Sequence, residues 1–280
     1  MDQFLLRTGH ASVLVVEVIA LVWIGKKALE LSARVKFREE LMGKDNPAAG
    51  VALAGFLLAL FISLSGLLMG KPGPLGHDAL LVGLHGAGAI AALVVSSFLW
   101  TPIVHLSLRS DVIGARNLGA GLLSASLLVA TGLVYQGAVS GQGDNPATVA
   151  VFFALGEGAL LLFLLLYEWT TPYGVYEEIG EKGNTAAALA FSGATIAAGL
   201  ILGNAVEGEF TDWQESIREA LEYMIPLLVL PLVRWVVVNG LLLGFGNVNR
   251  EIVEDRNPAA GLLEGAAYVG IALFAVHLLT

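Results

Sequence analysis

Lys44-Asp45-Asn46-Pro47-Ala48-Ala49-Gly50 reads as a loop ending in a helix start, and it returns three more times in altered form. The copies are Asn117-Leu118-Gly119-Ala120-Gly121, Asn184-Thr185-Ala186-Ala187-Ala188 and Asn257-Pro258-Ala259-Ala260-Gly261. An asparagine at this position accepts a hydrogen bond from a free backbone N–H of the first turn. Proline in the next position has no N–H to leave unsatisfied. Asp144-Asn145-Pro146-Ala147 carries the same dipeptide outside the repeat register, so Asn-Pro by itself marks a helix start. The alternative is that Asn46, Asn117, Asn184 and Asn257 line a cytoplasmic vestibule.

Small residues stand at fixed offsets after each asparagine. Two residues on stand Ala48, Gly119, Ala186 and Ala259; four on, Gly50, Gly121, Ala188 and Gly261. Eight on are Ala54, Ala125, Ser192 and Gly265; nine on, Gly55, Ser126, Gly193 and Ala266; thirteen on, Ala59, Ala130, Ala197 and Gly270. At about 100° per residue, offsets two, nine and thirteen share one face of a helix, and offsets four and eight lie nearly opposite. Each of these four helices should therefore be gripped closely on two sides. In lipid, where burying apolar surface gives little drive, small residues that admit a neighbouring backbone are a main device for association.

Lipid is the solvent for most of the chain. Of the 280 residues, 56% are hydrophobic and 14% charged, against roughly 25% charged in ordinary soluble domains. Apolar runs long enough to cross ~30 Å of hydrocarbon recur throughout. Eight helical spans are expected at 11–31, 47–69, 79–107, 118–141, 146–169, 185–206, 219–245 and 258–279. The fold class is all-α: a polytopic membrane protein of four repeated hairpins. Glu39-Glu40-Leu41 and Glu177-Glu178-Ile179 are 138 residues apart, the same separation as Asn46 and Asn184, so the larger repeat is half the chain. The halves are 1–142 and 143–280, each of four helices. An even number of spans per unit makes the copies point the same way, with the pseudo-symmetry axis along the membrane normal.

Basic residues sort by side. Eleven (Lys26, Lys27, Arg34, Lys36, Arg38, Lys44, Arg109, Arg116, Lys182, Arg250 and Arg256) follow odd-numbered spans; Arg7, Lys71 and Arg218 fall on the other side. The positive-inside bias puts the first group in the cytoplasm and both termini outside. The third external loop is acidic, with Glu207, Glu209, Asp212, Glu215 and Glu219.

Acidic residues followed by Asn-Pro-Ala-Ala-Gly opening a span, with a small residue a few positions later, resemble the four-helix inner-membrane family catalogued as domain of unknown function 350. The resemblance covers both halves and implies two tandem copies in a bacterial-type inner membrane. Asn46-Pro47 and Asn257-Pro258 keep its proline, whereas Leu118 and Thr185 replace it. It implies no activity.

Charge at membrane depth is costly and marks a partner or a cavity. Glu17, Glu157 and Arg234 each stand about 14–18 Å from the cytoplasmic boundary at ~1.5 Å per residue, with Ser96 and Ser97 at similar depth. Two readings are open. Arg234 pairs with Glu157 or Glu17 as a structural bridge between halves, or the unbalanced carboxylate serves a proton or cation relay. Glu264, one turn after Gly261, is placed at the cytoplasmic end, assisting a vestibule. Pro226 and Pro231 predict a bend just before Arg234. Trp23, Trp100, Trp169, Trp213 and Trp235 read mainly as interfacial anchors.

No nucleophile–base pair, phosphate-binding glycine loop or cofactor motif is present, so an enzyme is not expected. The absence of cysteine and the scattered histidines give no metal or haem site. The net charge of −9 sits in the connecting loops and argues against a polybasic lipid-binding surface; no nucleic-acid partner is expected. Two functions remain: a small-solute or proton-linked ion permease or channel with a midplane charged site, or a structural or accessory subunit of a larger membrane complex. The short loops leave partners to bind through the spans, as lipid, as further copies or as other subunits.

Overall fold

The computed structural model describes residues 2–69, 73–142, 145–208, 210–244 and 246–279. The Arg7 side chain, Lys71, Asp144 and Glu209 lie outside the described residues. Eleven α-helices follow one another among those described: α1 Asp2–Ala33, α2 Phe37–Met42, α3 Pro47–Ser65, α4 Leu75–Val104, α5 Leu118–Gln142, α6 Pro146–Thr170, α7 Thr185–Ala205, α8 Trp213–Tyr223, α9 Leu230–Leu232, α10 Val248–Val253 and α11 Pro258–Leu279. Seven helices there are long and apolar enough to cross a membrane. The chain is an integral, multi-pass membrane protein. The first expected span, 11–31, lies within α1, which is not one of the seven.

The seventh span departs from expectation. The helical path starts at Trp213, inside the expected acidic loop, because Asp212 caps it by accepting from the Gln214 and Glu215 N–H groups at 2.9 and 3.0 Å. Arg218 pairs with Glu215 and Glu222 along its exposed face. Further on, Pro226 and Pro231 interrupt the i→i−4 ladder. The helix tightens to 3₁₀ over Ile225–Val229 and widens to π over Val233–Leu242, the segment that carries Arg234.

The motif asparagines build one cap four times. Each of Asn46, Asn117, Asn184 and Asn257 bonds through its backbone N–H to the carbonyl of an acidic residue six positions earlier: Glu40, Asp111, Glu178 and Glu251. The residue before each asparagine has positive φ (Asp45 48°, Arg116 53°, Gly183 64°, Arg256 48°), and only the third copy uses glycine for this left-handed position. A short turn precedes every cap: α2, the π turns Leu108–Gly114 and Glu177–Glu181, and α10. Asn145 also caps α6, accepting from Ala147 N–H at 3.0 Å.

Helices α3, α5, α7 and α11 form a continuous row, with α4 and α6 laid against it and α1 against α4. The row is tight because one small face meets the other. Ala48, two after its asparagine, meets Gly121, four after the next, where a Cβ would stand 2.7 Å from the Ala48 carbonyl oxygen. The same two-to-four register joins Gly119 to Ala188 and Ala186 to Gly261. Position nine meets position eight where Gly55 lies on Ala125 and Gly193 on Gly265. Position thirteen meets position fifteen at Ala59–Gly132 and Ala130–Gly199. Except at Gly119, where the contact is looser, a side chain at these glycines would collide with backbone, so the approach exists only without one. The two-sided grip expected for every such helix holds for α5 and α7, whereas α3 and α11 close the row with one face each left open.

Candidate functional site

Buried polar residues gather in two centres and in a cap layer at one end of the helix row. In that layer Asn46 Nδ2 donates to the Ile113 carbonyl at 3.3 Å, Asn117 Nδ2 to that of Ile179 at 2.7 Å, and Asn184 Nδ2 to that of Ile252 at 2.8 Å. Each hairpin is thereby tied to the turn of the next. Arg116 reaches back to the Lys44 and Asp45 carbonyls at 2.6 and 2.8 Å. Asn46 and Asn184 are buried among these bonds, so they serve as caps and ties and line no vestibule. Hydrogen bonding from Lys44 holds the Glu40 carboxyl below its ordinary range. Burial pushes the matching Glu178 upward, but bonds from Lys182 and Asn184 outweigh it and leave that carboxyl lowered too.

The first centre is an ion pair. Arg234 Nε donates to Glu264 Oε1 at 2.6 Å, with the two side chains 2% and 0% exposed. Tyr173 Oη lies 2.9 Å from Arg234 Nη2, and the Tyr167 hydroxyl lies 3.4 Å from Glu264 Oε1. The guanidinium also stands 5.2 Å from the Tyr173 ring centre and 5.7 Å from that of Tyr167, within cation–π range. This corrects two expectations. The partner of Arg234 is Glu264 rather than Glu17 or Glu157, and Glu264 is enclosed in the bundle rather than facing a vestibule. The reason is packing: the π segment that carries Arg234 lies against α11, which supplies Glu264, while α6 supplies only Tyr167 at this point.

The second centre is Glu157 on α6. Thr131 Oγ1 on α5 donates to its Oε1 at 3.3 Å. Ser96 of α4 stands beside the carboxylate, outside strict hydrogen-bond geometry, and Oε2 is buried. Glu17 is separate: it is half-buried on α1, its Oε1 2.9 Å from where a Cβ on Gly83 would be. The structure therefore does not assemble Glu17, Glu157 and Arg234 into one midplane site.

Ser97 belongs to a third feature. Its hydroxyl donates to the Val94 carbonyl at 2.6 Å, and it lines a half-open cavity of about 290 Å³ between α1, α4 and α5. Leu29, Trp100, Ser124 and Arg109 share the wall. Trp100, expected as an anchor, is buried there, while Trp23, Trp169, Trp213 and Trp235 are exposed.

The −6 acid of each cap was readable as a fourfold repeat, though only the Glu40 and Glu178 pair stands out by eye. Tyr167, Tyr173 and Thr131 gave no sequence signal, since their roles depend on which helices meet.

An all-helical membrane protein built as two half-chain repeats is the class that fold and sites define. The chain belongs to the family described as Domain of Unknown Function (DUF350), matched in two tandem copies over residues 3–139 and 143–279. No curated protein and no solved structure matches it.

Proposed function

We propose that the chain is a structural or accessory subunit of a bacterial inner-membrane complex and not an enzyme. It spans the membrane eight times as four parallel hairpins, α1 included, with both termini outside. The observation that carries this reading is the row α3–α5–α7–α11, joined by backbone-to-backbone contacts that leave α7 enclosed on both sides. Rows of that kind resist sliding, and interiors packed at this density transmit strain without opening. The deepest cation is neutralised in place by Glu264, which supports a fixed charge rather than a moving one.

A second reading, a proton-linked permease, is favoured by Glu157 alone: a buried carboxylate with a neutral hydroxyl donor and no basic partner in an ion pair among the described residues. Purified protein in liposomes loaded with a pH-sensitive dye separates the two. The subunit reading expects no proton flux above protein-free vesicles under an imposed potential. Flux that depends on the protein and vanishes in Glu157→Gln would overturn it.

A further inference from the structure

Three interfaces inside the chain repeat one operation, and among the described residues no further element covers the outer small-residue faces of the row they build. At its far end α11 exposes Ala259, Ala266 and Gly270, offsets two, nine and thirteen; a Cβ on Gly270 would meet nothing within 4 Å. Offset two holds the following helix in all three interfaces, offset nine does so at Gly55 and Gly193, and offset thirteen at Ala59 and Ala130. At the near end α3 turns out offset eight, the exposed Ala54, beside the half-exposed Gly50 at offset four. Offset four receives the preceding helix in α5, α7 and α11, and offset eight does so at Ala125 and Gly265. The two open faces are thus the two halves of an interface the molecule already uses three times.

The cap layer reports the same vacancy independently of helix packing. Asn46, Asn117 and Asn184 each donate to a backbone carbonyl in the turn of the following hairpin, four or five residues before its asparagine. Among the described residues no hairpin follows Asn257, and its amide donates only to Glu251 of its own turn at 3.0 Å, a bond that Asn46 and Asn184 also make to Glu40 and Glu178. In register, the carbonyl it would reach is that of Leu41, five residues before Asn46, on the turn flanking the open face of α3. That α2 turn already sits over this face, with Leu41 3.2 Å from a Cβ built on Gly50.

We propose that a second copy of this chain docks its α3 on the open face of α11, continuing the row from molecule to molecule in the membrane plane. This rests on the subunit reading above and names its first partner. The contact is heterologous, so repeating it gives a ring or an open row rather than a closed pair. Its close part is the cytoplasmic half, where Ala266 faces Ala54 and Ala259 faces Gly50. At the outer level Phe61, at offset fifteen where α5 and α7 have Gly132 and Gly199, is bulky and 50% exposed. It falls opposite the bare Gly270, so the helices diverge toward the external side.

The absence of cysteine makes the test direct. Two differently tagged full-length chains, Ala54→Cys and Ala266→Cys, are co-expressed and oxidised in native membranes. Both positions are exposed, so neither substitution threatens folding. The proposal expects a disulfide dimer containing both tags, and a ladder beyond dimers from the chain carrying both cysteines. Asn257→Ser keeps a cap oxygen but cannot reach Leu41, and should lower the cross-link yield severalfold; Asn145→Ser should not. Absence of the mixed dimer, or each single variant linking only to itself, overturns the proposal. Liposome flux remains a separate readout: a missing cross-link without flux removes the self-association and leaves the subunit reading standing, whereas flux that is lost in Glu157→Gln removes that reading.

Discussion

The two halves bring three corresponding helices to a junction and fill it differently. In the first half α1, α4 and α5 meet around Leu29, Trp100 and Ser124, and the space between them is a half-open cavity of about 290 Å³. In the second, α6, the π segment and α11 meet around Tyr167, Arg234 and Glu264, and it is closed by a buried ion pair. Tyr167 stands seventeen residues before Asn184, as Leu29 does before Asn46; Glu264 stands seven after Asn257, as Ser124 does after Asn117. One backbone plan therefore accepts either a charged plug or a void. The cap layer and the helix row, shared by both halves, hold the junction, and its contents are free to differ.

Breaking the plug should have the largest effect. Glu264→Ala leaves Arg234 buried and unpaired, with an expected loss of about 3–5 kcal/mol, read as a drop in melting temperature in detergent. Arg234→Met with Glu264→Leu removes both charges and should recover most of that loss. Failure of the pair to recover would mean that the ion pair itself, rather than the avoidance of a lone charge, holds the second half.

The seam between halves comes next. A Cβ on Gly137 of α5 would fall on the Gly203 carbonyl of α7, so Gly137→Ala should cost on the order of 1–3 kcal/mol as overpacking. The same change at Gly158, whose Cβ would meet nothing within 4 Å, should be neutral in the same melting assay.

Swapping the junction residues sharpens the comparison further. Tyr167→Leu, which imports the residue of the first half, removes a ring and its hydroxyl contact to Glu264 and should cost roughly 1–3 kcal/mol. Leu29→Tyr places a ring beside an existing void and should change stability by less than about 1 kcal/mol. Equal losses from the two swaps would contradict the difference between the junctions.

The smallest effect is one in which the halves should agree. Glu40 and Glu178 are held below their ordinary range, so their stabilisation is present above the unfolded value of about 4.3 and is lost as pH falls through the lower folded values. Hydrogen-exchange protection at α2 and at Glu177–Glu181, corrected for the intrinsic exchange rate at each pH, should fall together on acidification. Glu40→Gln should flatten that response in the first half only.

The membrane class, the repeats, the helix starts and the two faces of the row helices are legible in the chain alone, because each is a local pattern: hydropathy over about twenty residues, a capping side chain, small residues at a 100° pitch. So is the bend at Pro226 and Pro231, since a missing N–H acts where it stands. Tertiary structure decided the partner of Arg234. Glu157 and Glu17 lie at a suitable depth, but the pairing of the guanidinium with Glu264 depends on α11 being the neighbour of the segment that carries Arg234. The same holds for Thr131 beside Glu157 and for the unfilled junction around Ser124. Depth along a helix is written in the chain, and azimuth relative to another helix is settled only when the two pack.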